Sequence, residues 1–246
     1  MLEFSMFIIK TFLIFFLIII CNINIAIAQS IELRENLKHT KNLYNEGKLE
    51  KAIISAKKAI EISRIDFGTE HYYTATLIEN LGIIQYEMLK YTDAKKSFQE
   101  VFTIRKSILE NDHTDIAEAL NFITLSNRKL LKYDKALDYH NKALLVMSRA
   151  ITKSNPNAMN EQNRKGAMFR ASAMHTRALI AIKNENIDDA LGLLKTSTRI
   201  FYNTLGKDKK QLIESYQELI KQALNVDDLE LANSIKKKLK KLNKDI

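Results

Sequence analysis

Five alanines recur along this 246-residue chain at nearly constant intervals. They are Ala52, Ala94, Ala136, Ala190 and Ala232, and the intervals between them are 42, 42, 54 and 42 residues. A fixed period in this range is typical of stacked supersecondary units, each packing only on its neighbours. The period therefore predicts a repeat array, a kind of fold that usually presents a binding surface.

Each repeat has the pattern of two helices. In the second repeat, apolar side chains at helical spacing lie on both sides of a short connection: Leu77, Leu81, Ile84 and Met88 precede it, and Ala94, Phe98 and Val101 follow it. Thr92 or Asp93 is the expected N-cap of the second helix. Because glycine and proline are scarce and no segment alternates with period two, the sequence predicts an all-α fold.

The first 28 residues have the order of a secretory signal peptide. Lys10 precedes an apolar run at 12–21, and small residues stand at Ala26 and Ala28. The alternative is an uncleaved membrane anchor, but the apolar run is shorter than the ~20 residues that span a bilayer. We therefore expect cleavage after Ala28 and a periplasmic or secreted protein.

The mature chain, 29–246, would contain no cysteine, because Cys21 lies in the signal segment. Disulfides, thiol catalysis and thiolate metal sites are then excluded. Lys and Arg exceed Asp and Glu by 9, and this balance is compatible with nucleic acid, acidic lipid or acidic protein as a partner. Export argues against nucleic acid as the partner, so a protein or peptide partner is expected.

The period divides the mature chain into five repeats and one insertion. The expected repeats are 31–66, 67–108, 109–151, 164–204 and 205–246. The 12 extra residues of the long interval fall at 152–163, a polar stretch that holds the only proline, and this stretch predicts a loop. Either the loop is a tolerated surface insertion, or it folds over a binding groove and contacts the ligand.

The pattern resembles the tetratricopeptide repeat, in the 42-residue form found in kinesin light chains. Leu81 and Gly82 match the family's Leu-Gly pair, Ala94 and Phe98 match its small and aromatic positions, and the inter-repeat phrase is echoed at 67–71. No proline follows that phrase here, unlike in the family. The resemblance implies a right-handed superhelical solenoid of about five helix-turn-helix repeats that acts as a binding scaffold.

The resemblance also implies that the first helices line a concave groove. The side chains expected to bind a peptide there are Glu79, Asn80, Asn121, Arg128, His175, Lys183, Gln217 and Lys221. Amides and other polar groups can satisfy the N–H and C=O groups of an extended peptide. Asn80 and Asn121, 41 residues apart, are expected at neighbouring positions of adjacent first helices. The alternative is that this row is merely a solvated polar face.

No set of residues predicts an enzyme, a metal site or a cofactor site. His71 and His113 recur at the repeat period, which favours a structural role at a helix end, and His140 takes a packing aromatic's place as a partly buried substitute. No His-x-x-x-His pair, glycine-rich phosphate loop or Gly-x-Ser-x-Gly turn occurs.

The C-terminal segment 228–244 is an amphipathic helix by its pattern. Its apolar stripe consists of Ala232, Ile235, Leu239 and Leu242, and lysines crowd its other faces. A terminal cap with a wettable outer face is the expected role. The alternative is a peripheral envelope protein that associates with anionic membrane through this basic helix.

The exported protein is expected to begin at Gln29, because Ala26 and Ala28 offer small residues at both recognition positions. N-terminal sequencing of protein recovered from the cell envelope fraction checks this. Exported material that begins at Met1 would exclude cleavage.

Overall fold

The computed structural model describes residues 31–153, 156–204 and 210–244. The described residues form ten helices and no strand, so the predicted all-α fold is confirmed. The predicted signal segment, 1–28, lies outside the described residues. The chain divides into two compact units, Met1–Ile108 and Leu109–Ile246, and the boundary coincides with a boundary between predicted repeats.

The first unit contains two helical pairs. The first pair is α1 (31–45) and α2 (Leu49–Asp66), and the second pair is α3 (Tyr72–Glu87) and α4 (Tyr91–Ile108). The second unit contains three more pairs: α5 (Thr114–Lys129) with α6 (Tyr133–Lys153), α7 (Pro156–Lys183) with α8 (Ile187–Thr204), and α9 (Lys210–Asn225) with α10 (Leu229–Lys244). Within each unit, helices adjacent in the chain pack against each other.

The periodic alanines lie in the first turn of each second helix, where the two helices of a pair meet. All five have no exposed surface. Each alanine N–H donates to the carbonyl four residues earlier, at 2.9–3.2 Å, and this bond opens the helix. A larger side chain would have no space there, which explains why alanine recurs.

Gly82 marks a second close approach, between α3 and α4. A Cβ atom at this position would lie 2.6 Å from Cε1 of Phe98, which is well inside van der Waals contact. Phe98 is itself almost fully buried. The Leu81-Gly82 pair therefore has a packing role, because glycine lets an aromatic ring lie directly on the helix backbone.

Histidine side chains cap two of the first helices. The Nδ1 atom of His71 accepts from the backbone N–H of Tyr73 at 3.1 Å, and His113 accepts from Asp115 at 3.2 Å. These bonds confirm the structural role predicted from the repetition of the two histidines. The predicted cap of α4 was wrong: the helix begins at Tyr91, so Thr92 and Asp93 lie in its first turn.

The turn inside each pair contains one residue in the left-handed backbone region, a feature that the sequence analysis did not predict. These residues are Gly47, Leu89, Leu131, Glu185 and Asp227, with φ between 57° and 71°. Their intervals of 42, 42, 54 and 42 residues repeat those of the alanines. In the second repeat, Lys90 N–H donates to Gln85 O and Leu89 N–H donates to Tyr86 O, which is the Schellman motif. Only the first of the five turns uses glycine.

The predicted loop at 152–163 was wrong, because most of this stretch is helical. Helix α6 continues to Lys153 and α7 begins at Pro156, while residues 154–155 lie outside the described part. Proline is well suited to the first position of a helix, where no N–H is needed. By alignment with the second repeat, the first helix of this pair would span only 168–183. Residues 156–167 therefore extend that helix by three turns at its N-terminus. Lys165 in this extension forms an ion pair with Glu118 of α5.

The apolar stripe of α10 is turned toward the protein. Ile235 belongs to the core of the second unit, and Leu239 and Leu242 pack against that core. These contacts agree with the predicted terminal cap. None of the helices among the described residues is long and apolar enough to cross a membrane.

We expect the double substitution Leu89→Gly and Leu131→Gly to raise the free energy of unfolding by roughly 0.5–1 kcal/mol per site. Left-handed backbone costs a residue with a Cβ atom about 1–2 kcal/mol, and the greater unfolded-state entropy of glycine offsets only part of the gain. Both leucines are 69% exposed, so little apolar burial is lost. Chemical denaturation measures the change, with Leu89→Ala as the control that keeps the strain. A destabilised glycine variant would mean that these turns are not left-handed.

Candidate functional site

A cleft of about 480 Å³ lies in the first unit, between α1 and α3 and over α2. Its floor is apolar and consists of Leu37, Ala56, Ala59, Leu77, Ile83 and Ile84. Its polar lining consists of Thr40, Lys41, Tyr44, Asn45 and Asn80. We call it the amide cleft, because Asn45 and Asn80 are exposed on its lining.

Two other polar groups of the amide cleft, the hydroxyls of Thr40 and Tyr44, are already bonded within the protein. The Thr40 hydroxyl bonds to the Asn36 carbonyl and to Ser55, both at 2.8 Å. The Tyr44 hydroxyl donates to Oε2 of Glu87 at 2.7 Å, and this hydrogen bond raises the pKa of Tyr44. Because no described residue hydrogen-bonds the Asn45 or Asn80 amide, these two groups can bind a ligand.

Glu79, the neighbour of Asn80, has an internal partner. Its carboxylate forms an ion pair with Arg105 of α4, whose guanidinium is almost fully buried. The same guanidinium lies over the ring of Tyr72, 5.9 Å from the centroid. Glu79 therefore serves the packing of α3 on α4, although it was predicted to bind a peptide.

In the second unit, Arg128 and Lys129 connect the first helices of three pairs. The Arg128 guanidinium lies 3.4 Å from the Ser172 hydroxyl of α7 and 3.5 Å from a carboxylate oxygen of Glu214 in α9. Lys129 forms an ion pair with the same carboxylate at 3.1 Å. Arg128 is buried, so the structure places it in the interior of the unit and not on an open face as predicted.

Two buried histidines lie in the same interior. His140 has no exposed surface and its Nε2 donates to the carbonyl of Phe169, so it is more deeply buried than expected. Burial lowers the pKa of His140 to about 4, with smaller contributions from the charges of Arg128 and Arg177. Burial also lowers the pKa of His175 well below its usual range, and Arg128 and Lys129 act in the same direction. Both rings are therefore neutral at pH 7.

The remaining predicted residues differ in accessibility. Lys183, Gln217 and Lys221 are exposed, as the groove hypothesis requires. Asn121 is half-buried, and its Oδ1 has no hydrogen-bond partner among the described residues. In the 42-residue register Asn121 is equivalent to Glu79 and not to Asn80, which explains why the two asparagines have different environments.

A second cleft, of about 490 Å³, lies in the second unit between α8 and α10 and over α9. We call it the basic cleft, because four cationic side chains line it: Lys195, Arg199, Lys238 and Lys241. The remaining lining is Thr198, Tyr202, Tyr216, Leu219, Leu231, Ile235 and Leu242. The sequence analysis missed this site, although the spacings of 195 and 199 and of 238 and 241 place each pair on one helix face.

The described residues contain no group of three or more His, Cys, Asp or Glu side chains that could hold a metal ion. The pair of Arg128 and Glu214 is bonded within the second unit, whereas the four cations of the basic cleft are exposed. What the two clefts offer is apolar surface with polar edges, an arrangement suited to binding.

Comparison with known protein families agrees with an arrangement of helical repeats. Residues 41–107 and 79–149 match the model of the tetratricopeptide repeat. A search of the curated proteins found no match.

Several solved structures have a similar fold. BtubC (BKLC) from P. vanneervenii is 13% identical, with 89% of each chain covered and a TM-score of 0.58. A candidate kinesin light chain of nearly identical TPR-like repeats from Podosopora anserina is also 13% identical, with 86% of this chain and 94% of that chain covered and a TM-score of 0.52. MamA from Desulfovibrio magneticus RS-1 is 14% identical, with 87% and 96% covered and a TM-score of 0.51. These similarities confirm the predicted helical-repeat fold.

We expect the free energy of unfolding to fall as the pH is lowered from 7 to 4. The unfolded chain takes up a proton on His140 near pH 6.5, whereas the folded protein does so only near pH 4. The stability that this histidine contributes is complete above pH 6.5 and decreases by up to about 3 kcal/mol as the pH approaches 4. Urea denaturation at a series of pH values measures the loss.

The variant His140→Phe is expected to lose less stability over this pH range, because it has no proton to take up. Phenylalanine stands at the equivalent position of the second repeat, Phe98, so the substitution keeps an aromatic ring that this repeat family places there. His39→Gln, which removes an exposed histidine, is the control. Equal pH dependence of the wild type and His140→Phe would contradict the assignment.

Proposed function

We propose that the protein is an exported tetratricopeptide-repeat scaffold that binds an extended segment of a partner protein in the amide cleft. One observation carries the proposal: two exposed amides without internal partners, Asn45 and Asn80, stand beside an apolar floor. Export rests on the signal-like segment 1–28.

The chemistry of the cleft suits a peptide. A side-chain amide carries both a donor and an acceptor, so it can pair with an N–H and a C=O of an extended backbone. The floor can accept apolar side chains of the same segment, whose burial would supply most of the affinity. Lys41 adds a cation to the lining, which would favour an acidic residue in the ligand.

The alternative of membrane association through α10 has less support. The apolar stripe of this helix packs on the core of the second unit, so the exposed surface of α10 is mainly that of its lysines and other polar groups. Interfacial helices bind bilayers by burying their apolar face, and here most of that face packs against α9 and the rest is recessed in a cleft. Scaffolding is therefore the function that the contacts favour.

A photo-crosslinking residue placed at Asn80 is expected to capture a partner in the cell. The same residue at Lys96, an exposed position of α4 outside the amide cleft, is the matched control. Mass spectrometry of the crosslinked peptide identifies the bound segment. Equal capture from both positions would show that the amide cleft is not the binding site.

With the partner segment in hand, Asn80→Ala is expected to weaken binding about tenfold, because a backbone group of the ligand is left unpaired at ~1–3 kcal/mol. The melting temperature should stay unchanged, since Asn80 is exposed. Lys96→Ala should alter neither quantity.

A further inference from the structure

We propose that the basic cleft of the second unit binds an acidic amphipathic helix of a partner protein, about three turns long. The cleft is formed by α8, α9 and α10, none of which contributes to the amide cleft. The proposal is therefore independent of the function assigned to the first unit.

The walls of the basic cleft carry charge of one sign. Lys195 and Arg199 are one turn apart on α8, and Lys238 and Lys241 are one turn apart on α10. All four are exposed, and none forms an ion pair with another described residue. Since the lining contains no Asp or Glu, the cleft is complementary to a ligand with carboxylates along two flanks.

The floor of the basic cleft favours a helix over an extended peptide. It is formed largely by Leu219, Leu231 and Ile235, and the Thr198 hydroxyl is already bonded to Ser215 at 2.7 Å. An extended segment would find few hydrogen-bond partners for its N–H and C=O groups on this floor, which is costly. A helix satisfies its own backbone and presents only side chains.

The dimensions of the cleft set the length of the ligand. The lining residues of α10 extend from Leu231 to Leu242, which corresponds to about 16 Å of helix, or three turns. A helix seated between α8 and α10 would place apolar residues at i, i+3, i+4 and i+7 on the floor, with acidic residues on both sides.

The recessed floor distinguishes this ligand from a bilayer. Leu219 is 1% exposed and Ile235 is 5% exposed, so they close the bottom of the cleft, and the partly buried Leu231 and Leu242 offer the apolar surface that a ligand can contact. A flat anionic membrane could touch the cations but could not reach the floor. A helix with an apolar ridge contacts both.

The test uses the full chain and three synthetic fluorescent peptides of twelve residues. The first is an amphipathic helix with a Leu/Phe face flanked by Glu, the second carries Lys in place of Glu, and the third is the first peptide with its residues scrambled. Fluorescence anisotropy reports binding, and cosedimentation with phosphatidylglycerol vesicles reports membrane association. We expect the protein to bind only the first peptide.

The variant Lys195→Gln with Lys238→Gln removes one cation from each wall and is expected to weaken binding about fivefold. The control is Lys236→Gln with Lys237→Gln, which makes the same charge change on exposed positions of α10 outside the cleft. This control should change the affinity by less than twofold. Circular dichroism verifies that both variants are folded.

Equal binding of the scrambled peptide would overturn the proposal, because charge alone would then explain the interaction. An equal loss in the two variants would overturn it as well. Absence of peptide binding, with or without vesicle association through Lys195 and Lys238, would also refute a helix-binding cleft.

Discussion

The close approach of two helices at a fully buried alanine is the constraint on which the rest of this structure depends. The alanine lies in the first turn of each second helix, and its N–H forms the first hydrogen bond of that helix. The Schellman turn lies a few residues before this alanine and reverses the direction of the chain between the two helices. Because turn and alanine repeat with the same intervals, the two helices of each pair meet in the same way.

The repeat register determines which polar groups can reach a ligand. Glu79 and its equivalents Asn121 and His175 are half-buried or buried, and Glu79 is paired with Arg105. Asn80, one position further, is exposed and lines a cleft. A shift of one residue rotates a side chain by about 100° around the helix, which is enough to move it from the interior to a binding surface.

The sequence predicted the fold far better than the site. The spacing of periodic residues can be read directly from the sequence. It therefore identified the helical pairs, the buried alanines and the histidine caps. The polar stretch at 152–163 was misinterpreted because proline and asparagine favour both loops and helix starts. The burial of Arg128 could not be foreseen, since its partner Glu214 is 86 residues away in the chain. The left-handed turns were not predicted from the sequence, because leucine, glutamate or aspartate takes the place of glycine in four of them.

The two clefts use the same fold in two different ways. In the first unit, two first helices stand over a second helix; in the second unit, two second helices stand over a first. Their volumes are nearly equal, and both floors are apolar. The difference lies at the rims, with amides in one and four cations in the other. Since rim charges act mainly on specificity and association rate, the polar residues decide which ligand each cleft accepts.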